Sequence, residues 1–192
     1  MAQPHTPSPT WTIEMLEALP DDGWQYELVE GRLVRRPPPG YEHGDIGENI
    51  AFPLSSHVRA HGLGKVYIGE TGWDLTRPNE TNDTVQASDL AFVRAERLPP
   101  PRPRKGQSYR PIAPDLVIEI ASPSQYGRDE LEDKARRWLD RGVRLLWIVW
   151  PDSRTVDVWE PGMTAPRTLA GQAELDGGDI VPGFRVGLAS IW

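Results

Sequence analysis

The sequence predicts an α/β fold built on a mixed central sheet, preceded by a helix and a hairpin, and three observations carry that prediction. Residues 115–121, residues 129–141 and the run "VRLLWIVW" follow as strand, helix and strand, the order of a right-handed crossover between parallel strands. After the tight turn "PDSR", the alternation of "TVDVWEP" suits an antiparallel, half-exposed neighbour. Near the start, "YELVEGRLVRR" places two short strands about a turn at Glu30 and Gly31.

Taken in order, residues 1–10, "MAQPHTPSPT", are rich in Pro and Thr with nothing to bury, which predicts a disordered tail ahead of a single domain over 11–192. In "WTIEMLEALP", Ile13, Leu16 and Leu19 fall at helical spacing, and Pro20 ends the run. His43, Ile46, Gly47, Ile50, Leu54, His57 and Val58 form one helical stripe, so a helix is expected over 43–61, kinked by Pro53 near Asn49. "GKVYIGETGWDL" and "VQASDLAFVRA" read as strands separated by the polar loop "TRPNETND". The helix over 129–141 has Asp129 and Glu132 spaced as a capping box and Gly142 at its exit. "VRLLWIVW" is apolar almost throughout, as a strand covered on both faces must be. The Gly-rich end, "LDGGDIVPGFRVGLASIW", carries apolar residues that should pack back onto the body.

Composition narrows the chemistry. With no cysteine among 192 residues, disulfides, thiolate catalysis and thiolate-held zinc are excluded, leaving carboxylates, His and backbone oxygens for a hard ion such as magnesium or manganese. No run is long enough to cross a bilayer and the first residues lack a signal-peptide pattern, so a cytoplasmic protein is expected. The net charge of −7 argues against general affinity for a polyanion. Locally, residues 94–110 carry Arg94, Arg97, Arg102, Arg104, Lys105 and Arg110 against Glu96, a basic patch that also reads as a solvated proline-rich loop.

The informative anomaly is "APDLVIEIASPS". Strand alternation sets Asp115, Val117, Glu119 and Ala121 on one face and Leu116, Ile118 and Ile120 on the other, so a carboxylate sits in a strand expected to be buried. Leaving it unpaired there costs several kcal/mol (~2–7 for even an uncharged polar group). The inward stripe of the next helix is Leu131, Lys134, Ala135, Trp138 and Leu139, and its lysine is placed to approach Glu119. In "ASDLAFV", Asp89 likewise interrupts an apolar strand. Two strand-borne acids and a helix-borne lysine match the needs of phosphodiester hydrolysis: acids to hold a divalent ion, and an amine to position water or offset developing charge.

Seven stretches, "YELVEGRLV", "HGDIGENI", "SDLAFV", "PDLVIEIASPS", "RDELEDKARRWLDRGV", "LLWIVWPDSRTVDVW" and "GGDIVPGFRVGL", resemble in order the pattern of the Uma-type restriction endonuclease family of the PD-(D/E)XK superfamily. The resemblance runs from about Glu14 to Leu188. It implies a restriction endonuclease-like mixed sheet flanked by helices and a magnesium-dependent nuclease acting on nucleic acid, DNA in the first instance. By position it assigns Asp89 and Glu119 as catalytic metal ligands and Lys134 as the superfamily's lysine, moved from the strand to the helix. The usual lysine position holds Ala121, on the same face as Glu119. Ser88, where relatives commonly carry proline, and Pro53 within the second helix are departures from the pattern.

Each assignment has a structural counterpart. Glu119 and Lys134 also read as a plain ion pair, and Lys134 as a snorkelling surface group. Asp115 reads as a turn cap at a strand entrance, Glu30 as a turn residue or an outer member of the metal site, and His43 as a packed histidine or a ligand. Trp138, Trp147 and Trp150 read as core or interface, with base stacking the alternative. The alternative function is a nuclease-fold binding or regulatory module without turnover. A homodimer is expected if both strands of a duplex are cut, since that needs two sites.

Overall fold

The computed structural model describes residues 9–98, 108–122 and 127–192. Most of the expected tail, the cationic positions Arg102, Arg104 and Lys105, and residues 123–126 of the connection after Ala121 lie outside the described residues. The elements are α1 (Ile13–Glu17), β1 (Gln25–Val29), β2 (Arg32–Arg36), α2 (Tyr41–Ala60), β3 (Gly64–Asp74), β4 (Val85–Arg94), β5 (Leu116–Ile120), α3 (Arg128–Asp140), β6 (Leu145–Trp150), β7 (Thr155–Trp159), β8 (Arg167–Ala170), β9 (Glu174–Asp176) and β10 (Arg185–Gly187).

Eight strands form one mixed sheet in which β2-β1-β4-β5-β6-β7-β8 run in that order and β3 pairs with β4. The crossover predicted from β5 through α3 to β6 is present, and those two strands are parallel from Leu116↔Leu145 to Ile120↔Val149. Strand alternation divides the core as expected. Leu116, Ile118 and Ile120 join α2's stripe of Ile46, Ile50, Leu54 and Val58 on one face. Val117 and Ala121 join Leu131, Ala135 and Trp138 of α3 on the other. The second helix continues through Pro53, with its buried residues at i, i+4 spacing.

Two expectations need correction. Strand β7 is buried along nearly its whole length instead of half-exposed. The tail residues Ile180, Val181, Phe184 and Leu188 cover Val156 and Val158 on one face, and on the other Trp159 joins the α3 side of the core while Asp157 accepts from Arg128, Trp150 and Thr168. The cap of α3 is two residues out of register: the helix starts at Arg128 after an N-cap at Gly127, so the carboxylate in the third position is Glu130, whose Oε2 accepts from Gly127 N at 3.3 Å. The cap therefore uses neither Asp129 nor Glu132.

The geometry of β4 positions everything that follows. Strand β3 pairs along its length, from Gly64↔Arg94 to Asp74↔Val85, so β1 and β5 must share the opposite edge. Strand β1 meets β4 at Leu28↔Val85, and β5 meets it over Leu90–Phe92. Between those two pairings, among the described residues, the edge from Gln86 to Asp89 has no strand beside it. Side chains fill that gap.

Candidate metal centre

Both main-chain groups of Ala87 face the gap. Glu27 Oε1, from β1, accepts from Ala87 N at 2.8 Å, and Lys134 Nζ donates to Ala87 O at 2.7 Å. These side-chain bonds replace the ladder that a strand would have supplied, so the backbone groups are satisfied without a neighbour. Lys134 Nζ also lies 3.1 Å from Glu119 Oε2 and 3.0 Å from Glu27 Oε1. The amine is only 2% exposed and does not snorkel. Trp138 Nε1 donates to the other Glu119 oxygen at 2.7 Å, which answers how β5 tolerates a buried acid. Even so, burial drives the Glu119 pKa well above the usual carboxylate range, with the Lys134 charge opposing and the Asp89 and Glu27 charges adding to the rise.

Asp89 lies where the β4–β5 ladder stops. Its Oδ2 accepts from Ile120 N at 2.6 Å and stands 3.1 Å from His43 Nε2 on α2. Burial raises the Asp89 pKa, but the His43 contact and charge outweigh it and leave the carboxyl below its ordinary value. For His43, burial lowers the pKa and the contact with Asp89 more than reverses it, so the imidazole is raised overall.

The third member of this group is Glu70. The β3 ladder breaks between Ile68 and Thr71, where Gly69 and Glu70 both adopt positive φ, 73° and 57°. A bulge re-aims a side chain that regular alternation would send elsewhere, and here it delivers the Glu70 carboxyl to Asp89. Burial first, then the Asp89 charge and a hydrogen bond to Asp89, push the Glu70 pKa up to about 8. Ligand atoms of His43, Glu70 and Asp89 lie within 4.8 Å of one another. Glu70 Oε1 and His43 Nε2 are buried and make no hydrogen bond of acceptable geometry. Imidazole nitrogen and carboxylate oxygens, with Glu70 Oε1 unbonded and His43 Nε2 facing only the Asp89 carboxylate, form a donor set that fits a divalent ion of the magnesium or manganese type.

Beside this cluster opens a cleft of about 360 Å³ between α2 and the bulged part of β3. Gly44, Gly47 and Ala51 form one wall, Ile68 and Gly69 the other, and His43, Glu70 and Asp89 stand at its base.

Among the sequence candidates, the structure brings Asp89 together with His43, and Glu119 together with Lys134. Both oxygens of Glu119 are engaged by Lys134 and Trp138, and the charges of Asp89 and Glu119 act on a common neighbourhood. Asp115 is elsewhere: fully buried, it accepts from Arg94 N at 2.9 Å and Arg97 Nη1 at 2.6 Å and locks the chain entering β5. Glu30 is exposed in the hairpin turn at φ 52°, its N–H donating to Thr84 Oγ1, so it takes no part in the cluster. Sequence reasoning missed Glu27 and Glu70. A signal existed for each: Glu27 is an acid inside the strand "YELV", and Glu70 sits in "GETG", where a glycine interrupts strand alternation.

A family model, Uma2, described as "Putative restriction endonuclease", matches residues 13–189. The chain belongs to the Uma2 family. The fold of this Uma2 chain is similar to the crystal structure of "a putative nuclease belonging to DUF820" from Anabaena variabilis ATCC 29413, with a TM-score of 0.78 and 21% identity. That likeness covers 94% of this chain and 96% of the other. No curated protein matches the Uma2 chain. Among its described residues no helix is long and apolar enough to cross a membrane.

Proposed function

We propose that this protein is a metal-dependent nuclease hydrolysing phosphodiester bonds, with DNA as its substrate. The observation that carries the reading is the convergence of His43, Glu70 and Asp89, with Glu70 Oε1 buried and unbonded, beside the buried Glu119–Lys134 pair. Four carboxyl groups, Glu27, Glu70, Asp89 and Glu119, surround one lysine and one histidine there, and a divalent cation would favour the ionised form of the acids whose pKa burial raises, Glu70 and Glu119. His43, Glu70 and Asp89 would hold the ion, with Glu119 the further acid on the side of Lys134. Magnesium and manganese both suit the carboxylates, and the imidazole favours manganese. When bound, such an ion polarises a phosphoryl oxygen and acidifies a water.

The chain's own residues do the rest. Asp89 is held in place by Ile120 N and kept ionised by His43. Lys134 is fixed by Ala87 O, Glu27 and Glu119, so its ammonium stands ready where negative charge grows on phosphorus or on the attacking water. Trp138 orients Glu119 and excludes solvent from the pair.

Manganese titration by calorimetry tests the ion site, and incubation with DNA and magnesium or manganese tests turnover. Binding should fail in Asp89→Asn, and cleavage should fail in Glu119→Ala and Lys134→Ala. Cleavage that survives both of the latter substitutions sinks the assignment; no manganese binding at all would favour a nuclease-fold module without turnover. Cutting both strands of a duplex would require two copies, which sedimentation in the presence of duplex reads directly.

A further inference from the structure

We infer that the cleft beside His43, Glu70 and Asp89 receives one unpaired base of the substrate strand, so that the preferred substrate is single-stranded or splayed open at the scissile phosphate. This rests on reading those three residues as the ion site, and it adds what that reading leaves open, the form of the nucleic acid.

The walls of the cleft carry the argument. Among the described residues no lysine or arginine lines it, and Glu48 does. A surface that follows the backbone of a duplex does so with clustered cations, so this one is built for something other than phosphate. Its lining is apolar, from Gly44, Gly47 and Ala51 on the helix to Ile68, Leu90 and Ile120 on the sheet. In a strand whose phosphate reaches the metal centre, the apolar, flat group next along the chain is the base. A base inside a duplex is already stacked and paired, and extracting it costs free energy that an unpaired strand does not spend.

Stacking surface lies within a helical turn of the cleft. Tyr41, outside the cleft's own lining, stands three residues before Gly44 on the same helix and is 88% exposed, while Ile68 on the facing wall is 61% exposed. An exposed aromatic ring near an apolar slot is a combination by which single strands are held without sequence readout. Gly44 leaves the slot open: a Cβ built there meets nothing within 4 Å. Filling the cleft from that position therefore disturbs no packing contact, and replacing a helical glycine does not weaken the helix.

The experiment compares a fluorescein-labelled oligothymidylate with a hairpin duplex of equal phosphate count, by anisotropy in calcium, for wild type, Gly44→Leu and Tyr41→Ala. Wild type should hold the single strand at least about tenfold more tightly. Each variant should lose about ten- to a hundredfold of that affinity, the loss of one stacked base, with manganese affinity unchanged. Tyr41→Ala alters a side chain exposed on the surface, so it decides the matter should Gly44→Leu fold poorly. Manganese binding with equal affinity for duplex and single strand, or variants that bind the single strand like wild type, would overturn the inference alone. A protein that binds no manganese overturns the ion-site reading and this inference with it.

Discussion

Lys134 Nζ lies 3.0 Å from Glu27 Oε1, an acid on the first strand of the hairpin, as well as 3.1 Å from Glu119. One buried ammonium therefore ties α3 to both strands that flank the gap along β4. It also neutralises carboxyl groups that would otherwise face each other without a cation between them.

Removing that ammonium should be costly. Lys134→Ala leaves Glu27 and Glu119 buried without their cation, and breaking a buried pair this way costs about 3–5 kcal/mol. Urea unfolding should show that loss as a lowered midpoint. An unchanged midpoint would mean that the ion pair contributes nothing net.

Glu70 makes the ion-free protein sensitive to pH. Its folded pKa, about 8, lies above the ordinary 4.5. The folded state then holds a proton that the unfolded chain has released, so its contribution to stability is complete below about 4.5 and is lost as pH rises to about 8. Thermal unfolding in EDTA should show wild type losing stability between those limits relative to Glu70→Gln, which has no proton to lose. Parallel curves for the two proteins would refute the raised value.

Asp89→Asn should abolish manganese binding while leaving a folded protein, because an amide oxygen can still accept from Ile120 N. Calorimetry measures the first outcome and circular dichroism the second. Retained manganese affinity would remove Asp89 from the ion site.

Asp115 should behave as a structural acid. Asp115→Ala strips partners from Arg94 N and Arg97, charge-assisted bonds of the kind that contribute about 1.5–3 kcal/mol each. Denaturation should report that loss, with manganese affinity unchanged in the folded fraction. A weakened ion site without loss of stability would reverse the assignment.

Glu30→Gly should be harmless or mildly stabilising. Glu30 holds φ 52°, a left-handed conformation that costs a side-chain-bearing residue about 1–2 kcal/mol and glycine almost nothing. A rise in thermal midpoint with unchanged manganese affinity would place Glu30 in the turn alone; lost affinity would return it to the ion site.

Periodicity made the scaffold legible. Alternation in "PDLVIEIA" separated Glu119 from Leu116 and Ile118, and the stripe of the following helix singled out Lys134 as the cation able to meet it. Both are local patterns: the strand and helix belong to one crossover, so their facing sides follow from chain order and handedness. Asp89 was found in the same way, as an acid where an apolar residue belongs. Glu70 and Glu27 were not, because nothing within a few residues of either reports what lies across from it.

The sequence by itself determined the hairpin, the second helix and the strand–helix–strand crossover with their apolar faces, and that Glu119 must have a compensating partner, since these follow from backbone geometry and the cost of burying charge. Only the tertiary structure decided that β1 and β5 share one edge of β4, that Glu27 occupies the gap between them, and that a bulge turns Glu70 toward Asp89 and His43. Those relationships join residues far apart in the chain through a local break in regular pairing. Side-chain period encodes a face, and it carries no record of the neighbour that a break in that period brings into reach.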